Sequence, residues 1–228
     1  MQRAGAAQRR STSALTEEGD MGRKTQITQE MILEASYELL DEGGINNVEI
    51  KKIADRLGCS TRPVTWTFGS MAELKKALYY YAAGKAYGNL ESKMKGKEAV
   101  EAFFISGVHY ISLACEHPNV FRFMNVDNPM DTVGVDLGEG QSIFSGSFDA
   151  DAVEILSSQY DIPKDIIAAT VRDTVIYTHG LALMMMYDNF RMPKEEACRM
   201  MYNVGMKLIS DIGIDVSSYK FEDMTGFI

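Results

Sequence analysis

Residues 47–68, NVEIKKIADRLGCSTRPVTWTF, constrain the fold of this chain more than any other stretch. They predict two short helices joined by a tight turn. Ile50, Ile53, Ala54 and Leu57 recur at i, i+3, i+4 and i+7, which is one apolar face of a helix. Gly58 stops that helix, because glycine takes the left-handed conformation without steric cost. Ser60 offers a side-chain oxygen to cap a second helix. Pro63 falls in the first turn of that helix, where its missing N–H costs no intrahelical bond. Such a unit holds its second helix as a rigid rod, a shape that fits the major groove of DNA.

Helical periods continue on both sides. Thr28 caps a predicted helix to Glu42, whose apolar stripe is Met31, Ile32, Ala35, Leu39 and Leu40, and Gly43-Gly44 end it. Ser70-Met71-Ala72-Glu73 reads as a capping box opening a helix to Lys95, with Gly84 and Gly88 as weak points inside it. Further helices are predicted over Glu98–Glu116, Val120–Asn125, Ala150–Tyr160, Lys164–Asn189 and Pro193–Ile212. The last carries a stripe of Ala197, Met200, Met201, Val204 and Leu208. No stretch alternates as a strand does, so the expected fold class is all-α. The expected units are a polar, disordered leader over 1–22, a helix-turn-helix domain over 23–70, a helical body over 71–214 and a tail over 215–228. Residues 127–149, with Pro129 and four glycines, are expected to be a loop, long enough to be mobile or to act as a lid.

Charge is distributed unevenly. The net charge of −9 is carried almost wholly by residues 91–228, which hold 11 basic and 21 acidic side chains, against 9 and 8 over residues 21–90. An acidic body repels phosphate, so only the N-terminal end can approach DNA. The longest uncharged runs, Ala102–Cys115 and Thr174–Tyr187, have 14 residues each. A bilayer span needs about 20, so they read as core helices and no membrane partner is expected. Cys59, Cys115 and Cys198 follow neither a disulfide nor a zinc pattern, which fits free thiols in a reducing cytoplasm.

The stretches ITQEMILEASYELLDEGG, VEIKKIADRLGCS and TFGSMAELKKAL match, in order and spacing, the DNA-binding domain of the TetR family of bacterial transcriptional regulators, which residues 24–78 resemble. The resemblance implies a three-helix DNA-binding head ahead of a larger helical body that binds a small ligand and pairs through its last two long helices. Three positions depart from the family pattern. Thr65 stands where a tyrosine is usual, Thr67 where a histidine is frequent, and Met71 where a lysine commonly follows the capping serine. The family uses that tyrosine and lysine for phosphate contacts, and Arg62, Trp66 and the pair Lys75-Lys76 are candidates to replace them.

The candidate DNA contacts follow from that placement. Ser60, Thr61, Arg62, Thr65 and Trp66 lie on or beside the start of the recognition helix. Arg62 is the best base reader, since its planar fork matches guanine O6 and N7. Thr61 and Thr65 suit a phosphate or a thymine methyl, and Trp66 suits the sugar-phosphate backbone unless it is core. Lys24, Thr25, Lys51 and Lys75 are placed to reach phosphates from neighbouring helix ends.

For a ligand cavity the candidates are Phe103, Phe104, His109, Tyr110, Phe121, Phe123, Tyr177, His179 and Met184. Aromatics and flexible methionines suit a pocket for a small apolar or aromatic effector, although for any single one of them a place in the core is the more ordinary role. His109, Cys115 and His117 lack a metal spacing. No nucleophile elbow, phosphate loop, dinucleotide fingerprint or metalloprotease motif is present, so neither catalysis nor a cofactor is expected. The expected function is a cytoplasmic, homodimeric, ligand-responsive transcriptional regulator, a repressor, binding a pseudo-palindromic double-stranded operator. The competing classes are a DNA-binding adaptor whose body holds a protein and, with less behind it, a helical enzyme.

Overall fold

The computed structural model describes residues 26–127, 129–134, 149–187 and 191–226. Among these, every regular element is helical. The N-terminal head holds α1 (Gln29–Gly43), a 3-10 turn (Ile45–Asn47), α2 (Ile50–Arg56) and α3 (Thr61–Phe68). The rest comprises α4 (Met71–Tyr87), α5 (Leu90–Met94), α6 (Ala99–Glu116), α7 (Pro118–Asn125), α8 (Pro129–Val133), α9 (Ala150–Tyr160), α10 (Lys164–Met185), α11 (Lys194–Asp211) and α12 (Phe221–Thr225).

The local signals act much as the sequence predicts. The Thr28 hydroxyl accepts from the Met31 N–H, and the Ser70 hydroxyl accepts from the Glu73 N–H. Each satisfies one of the orphan donors at a helix start. Gly58 adopts φ 61°, and the next amide, Cys59, donates back to Ala54 C=O at 3.0 Å. That closes α2 and turns the chain into α3.

Four predictions of extent need correction, one of them the long helix over Lys164–Asn189, which ends at Met185 with Met186 and Tyr187 already outside it. The helix opened by Ser70 does not reach Lys95. It stops at Tyr87, and α5 restarts after Asn89. Gly88 remains close to helical, and a Cβ there would sit 2.4 Å from Gly84 O. The turn is therefore tighter than one carrying side chains, and two glycines within five residues remove the propensity that would carry the helix across. The segment expected as a tail contains α12, which buries Phe221 and Met224 against the body core. A single helical turn is too short to declare itself by period. Within the expected 127–149 loop, α8 is a short helix with Val133 buried. Positions 128 and 135–148 lie outside the described residues, as do the 1–22 leader and positions 188–190 of the long predicted helix.

Three apolar clusters hold these helices together. The first joins Ile32, Leu39 and Leu40 of α1, Ile53 of α2 and Val64 of α3 to Leu74 and Leu78 of α4. It continues through Val120 and Phe123 of α7 to Val133 of α8. The head core is thus completed by helices that belong to the body. A second cluster fills the body, where α6, α10 and α11 pack on one another around Phe104, Val108, Val171 and Met201. A smaller third cluster, Ala86, Leu113, Ala114, Phe121 and Ala182, lies where α4, α6, α7 and α10 meet. Full burial of a Val or Leu side chain contributes about 1.5–3 kcal/mol.

Candidate nucleic-acid interface and body sites

Helix α3 is anchored by one face and exposed on the other. Val64 is buried at 1% exposure and Phe68, one turn on, is half-buried against the head core. Thr61, Arg62, Thr65, Trp66 and Thr67 are all exposed. Trp66 is not core: it is 78% exposed, and the Arg62 guanidinium lies 5.5 Å from its ring centroid. One turn apart on the helix, the two side chains form a cation–π pair of about 0.5–1 kcal/mol at an exposed site. The pair limits how freely Arg62 samples rotamers.

The hydroxyls differ from their expected roles. Ser60 occupies the N-cap position with extended backbone, yet its hydroxyl makes no capping bond. Thr65 donates to Thr61 C=O at 3.1 Å and Thr67 to Pro63 C=O at 2.9 Å. Their single protons are thereby used inside the helix, so Thr65 presents a methyl group and acceptor lone pairs rather than a donor. A thymine methyl fits that face better than a phosphate does.

Electrostatics favour the same end. Several acidic side chains of the head are already partnered. Glu38 and Glu42 receive Arg56, Glu34 receives Lys85, Glu49 receives Lys52, and Asp41 accepts from His117 Nδ1 at 2.8 Å. Among the described residues, no carboxylate stands within ion-pair distance of Lys51, Arg62, Lys75 or Lys76. Unneutralised cations on α2, α3 and the start of α4 are what a phosphate backbone requires. Lys24 and Thr25 lie outside the described residues.

Comparison with known proteins bears on this end of the molecule. Residues 32–78 match the family model for bacterial regulatory proteins of the tetR family. Over those residues the N-terminal head is similar to the DNA-binding segment of the tetR family. The matched segment begins inside α1 and ends inside α4, so it spans the helix-turn-helix whole. Among solved structures, a TetR transcriptional regulator from Rhodococcus sp. RHA1 is similar, with a TM-score of 0.45 at 16% identity over 80% of this chain and 95% of that chain. No curated protein matches the chain. The matched head and the helical body together make the predicted architecture.

In the body the nine candidate pocket residues separate. Phe103 and Phe104 meet edge to face within the main body cluster, and Phe104 continues to Tyr202. Tyr177 packs at the edge of the same cluster. Tyr110, Phe121 and His179 form a second group, in which the Tyr110 hydroxyl lies 2.7 Å from His179 Nδ1. Phe123 belongs to the head core against Tyr79, and Met184 is exposed on α10. They do not surround one space.

Only His109 of the nine lines a described cavity, one of about 210 Å³ between α1, the α4–α5 junction, α6 and the start of α11. Its Nε2 donates to Ala86 C=O at 2.7 Å, and burial holds its pKa below the ordinary histidine value. The remaining lining is mostly polar and includes Lys85, Lys93, Glu116 and Lys194. These residues come from four separate parts of the chain with no shared period, so no sequence signal assembles them. Among the described residues no group of His, Cys, Asp and Glu is arranged to hold a metal, and no helix is long and apolar enough to cross a membrane.

Proposed function

We propose that this chain is a ligand-responsive repressor that binds a pseudo-palindromic operator as a homodimer. The observation that carries the reading is α3, whose exposed face presents Arg62 and Trp66 with uncompensated lysines on either side. Each head inserts α3 into one major groove. Arg62 reads a guanine edge, Thr65 meets a thymine methyl, and Trp66 lies along the sugar-phosphate backbone. Lys51, Lys75 and Lys76 hold the register through phosphates.

Pairing is supported by α10 and α11. The helical repeat sets Ile166, Tyr177 and Met184 of α10 on one line, with Ile176 beside it. Ile166, Ile176 and Met184 are 42%, 46% and 44% exposed. On α11, Ala197 and Met201 enter the body core, whereas Val204 and Leu208 of the same stripe are only half-buried. Two-fold pairing of such a face matches two half-sites about one helical turn of DNA apart. A ligand in the body releases DNA by favouring a head spacing that misses successive grooves, and it acts only through its differential affinity for the two states.

The test is binding to the intergenic DNA upstream of the chain's own gene, measured against salt. The native protein binds a specific site, and Arg62→Ala weakens that binding by about 1–3 kcal/mol for each guanine it no longer reads. Unchanged specific binding by Arg62→Ala would remove α3 from base recognition.

A further inference from the structure

The cavity at the head–body junction has a chemistry that the apolar-effector expectation did not anticipate. Tyr37 reaches it from the head and Lys85 from α4, which leads out of the head. Lys93, His109, Ser112, Glu116 and Lys194 belong to the body. The space is therefore shared by the two parts whose relative placement a regulator must change.

Its lining carries more cationic than anionic side chains. It holds three lysines and a single carboxylate, Glu116. Lys194 donates to that carboxylate at 2.5 Å and holds its pKa below the ordinary glutamate value. Lys85 donates at 3.0 Å to Glu34, which is not part of the lining. Each ammonium has three protons, so bonding to one carboxylate leaves donors over. Ala86 C=O is already taken by His109. On the rim, His117 Nδ1 donates to Asp41, which stands behind it outside the lining. A neutral apolar guest would offer the cationic lining nothing to bond. An oxyanion would satisfy it. The volume equals that of about seven waters, which suits a small metabolite rather than a drug-sized molecule.

We propose that this cavity is the effector site and that its ligand is a small organic oxyanion, bearing a carboxylate or a phosphate. The proposal rests on the ligand-responsive reading above and replaces the apolar effector class. The anion would tie Lys85 of α4 to Lys93 and Lys194 of the body, so its occupancy biases the angle between the head and the body.

Two titrations separate this proposal from the reading beneath it. In the first, no DNA is present. The native protein is titrated with succinate, inorganic phosphate and neutral succinamide at matched ionic strength, and the histidine ring signals are followed by NMR across pH. Succinate or phosphate should shift the His109 signals saturably and raise its pKa, because an anion beside a ring favours the charged form. Saturation by succinate alone assigns a carboxylate, and by phosphate alone a phosphate. Lys93→Gln should weaken binding about tenfold while leaving the thermal midpoint near that of the native protein. Failure of both anions to saturate, equal binding of succinamide, or an unchanged affinity in Lys93→Gln overturns the site.

The second titration measures operator binding with and without the anion that bound. A change within about 5- to 150-fold is the range of ordinary allosteric coupling. No change overturns the effector role. Absence of operator binding by the anion-free protein would instead defeat the regulator reading, and it would do so independently of the first titration.

Discussion

Single residues decide how closely the body helices approach. Gly205 lies on the face of α11 that meets α6 and α10. A Cβ there would sit 2.6 Å from the Phe104 ring and 3.1 Å from the Thr174 methyl. Phe104 is itself buried between Phe103 and Tyr202, so it cannot swing aside cheaply. Gly205→Ala should therefore destabilise the fold by about 1–3 kcal/mol through overpacking, although alanine is the better helix former. Chemical denaturation reads this directly, and a more stable variant would mean that α6 and α11 pack more loosely than their geometry indicates. Arg62 and Trp66 carry the opposite lesson. They touch little in the protein beyond each other and stay exposed on α3.

At the scale of elements, the head is clamped to α4 by a small polar network as well as by its core. Glu34 of α1 accepts from the Tyr81 hydroxyl and from Lys85, both on α4. The Tyr81 hydrogen bond, followed by that from Lys85, holds the Glu34 pKa below the ordinary carboxylate value. A depressed carboxylate contributes stability above its unfolded pKa and loses it as pH falls through the folded value. Tyr81→Phe should thus cost about 0.5 kcal/mol at neutral pH, below the roughly 1.5–3 kcal/mol of a buried hydrogen bond to a charged group, because the Glu34 side chain is 41% exposed to screening water. The difference from the native protein should vanish once Glu34 is protonated in both. Urea melts at neutral and strongly acidic pH test this, and a deficit independent of pH would assign the effect to ring packing against Tyr37 instead.

At the scale of the whole molecule, two outcomes are expected. Ile176→Glu places a charge beside the exposed apolar line of α10 and should leave the protein monomeric by sedimentation where the proposed dimer pairs through that face. Each protomer should keep its helical content, because Ile176 is 46% exposed and contributes little to its own core. A dimer that survives this change pairs through some other surface. The second outcome concerns acid. Burial holds both His109 and His179 below the ordinary histidine pKa. The unfolded chain then binds protons that the folded chain refuses, so stability is full above about pH 6.5 and falls as pH drops through the folded values. Replacing both histidines by glutamine should flatten the stability profile in that window. An unchanged slope would place the acid sensitivity elsewhere.

Read alone, the sequence determined what is local. Turn glycines, capping hydroxyls and i, i+3, i+4 spacing act within one or two turns, so α1, α2, α3, α6, α9 and α11 were legible to within a residue or two. The helix-turn-helix was legible for the same reason, and Arg62 and Thr65 could be assigned to its outer face. Only the tertiary structure decided what depends on residues far apart in the chain. Trp66 could have been core until the packing of Val64 and Phe68 turned it outward. Phe123 had the composition of a pocket residue until α7 carried it into the head core. The cationic cavity is the extreme case. Lys85, Lys93, His109 and Lys194 come together through helix packing alone, because a helix fixes the spacing of its own side chains but not which helix lies across from it.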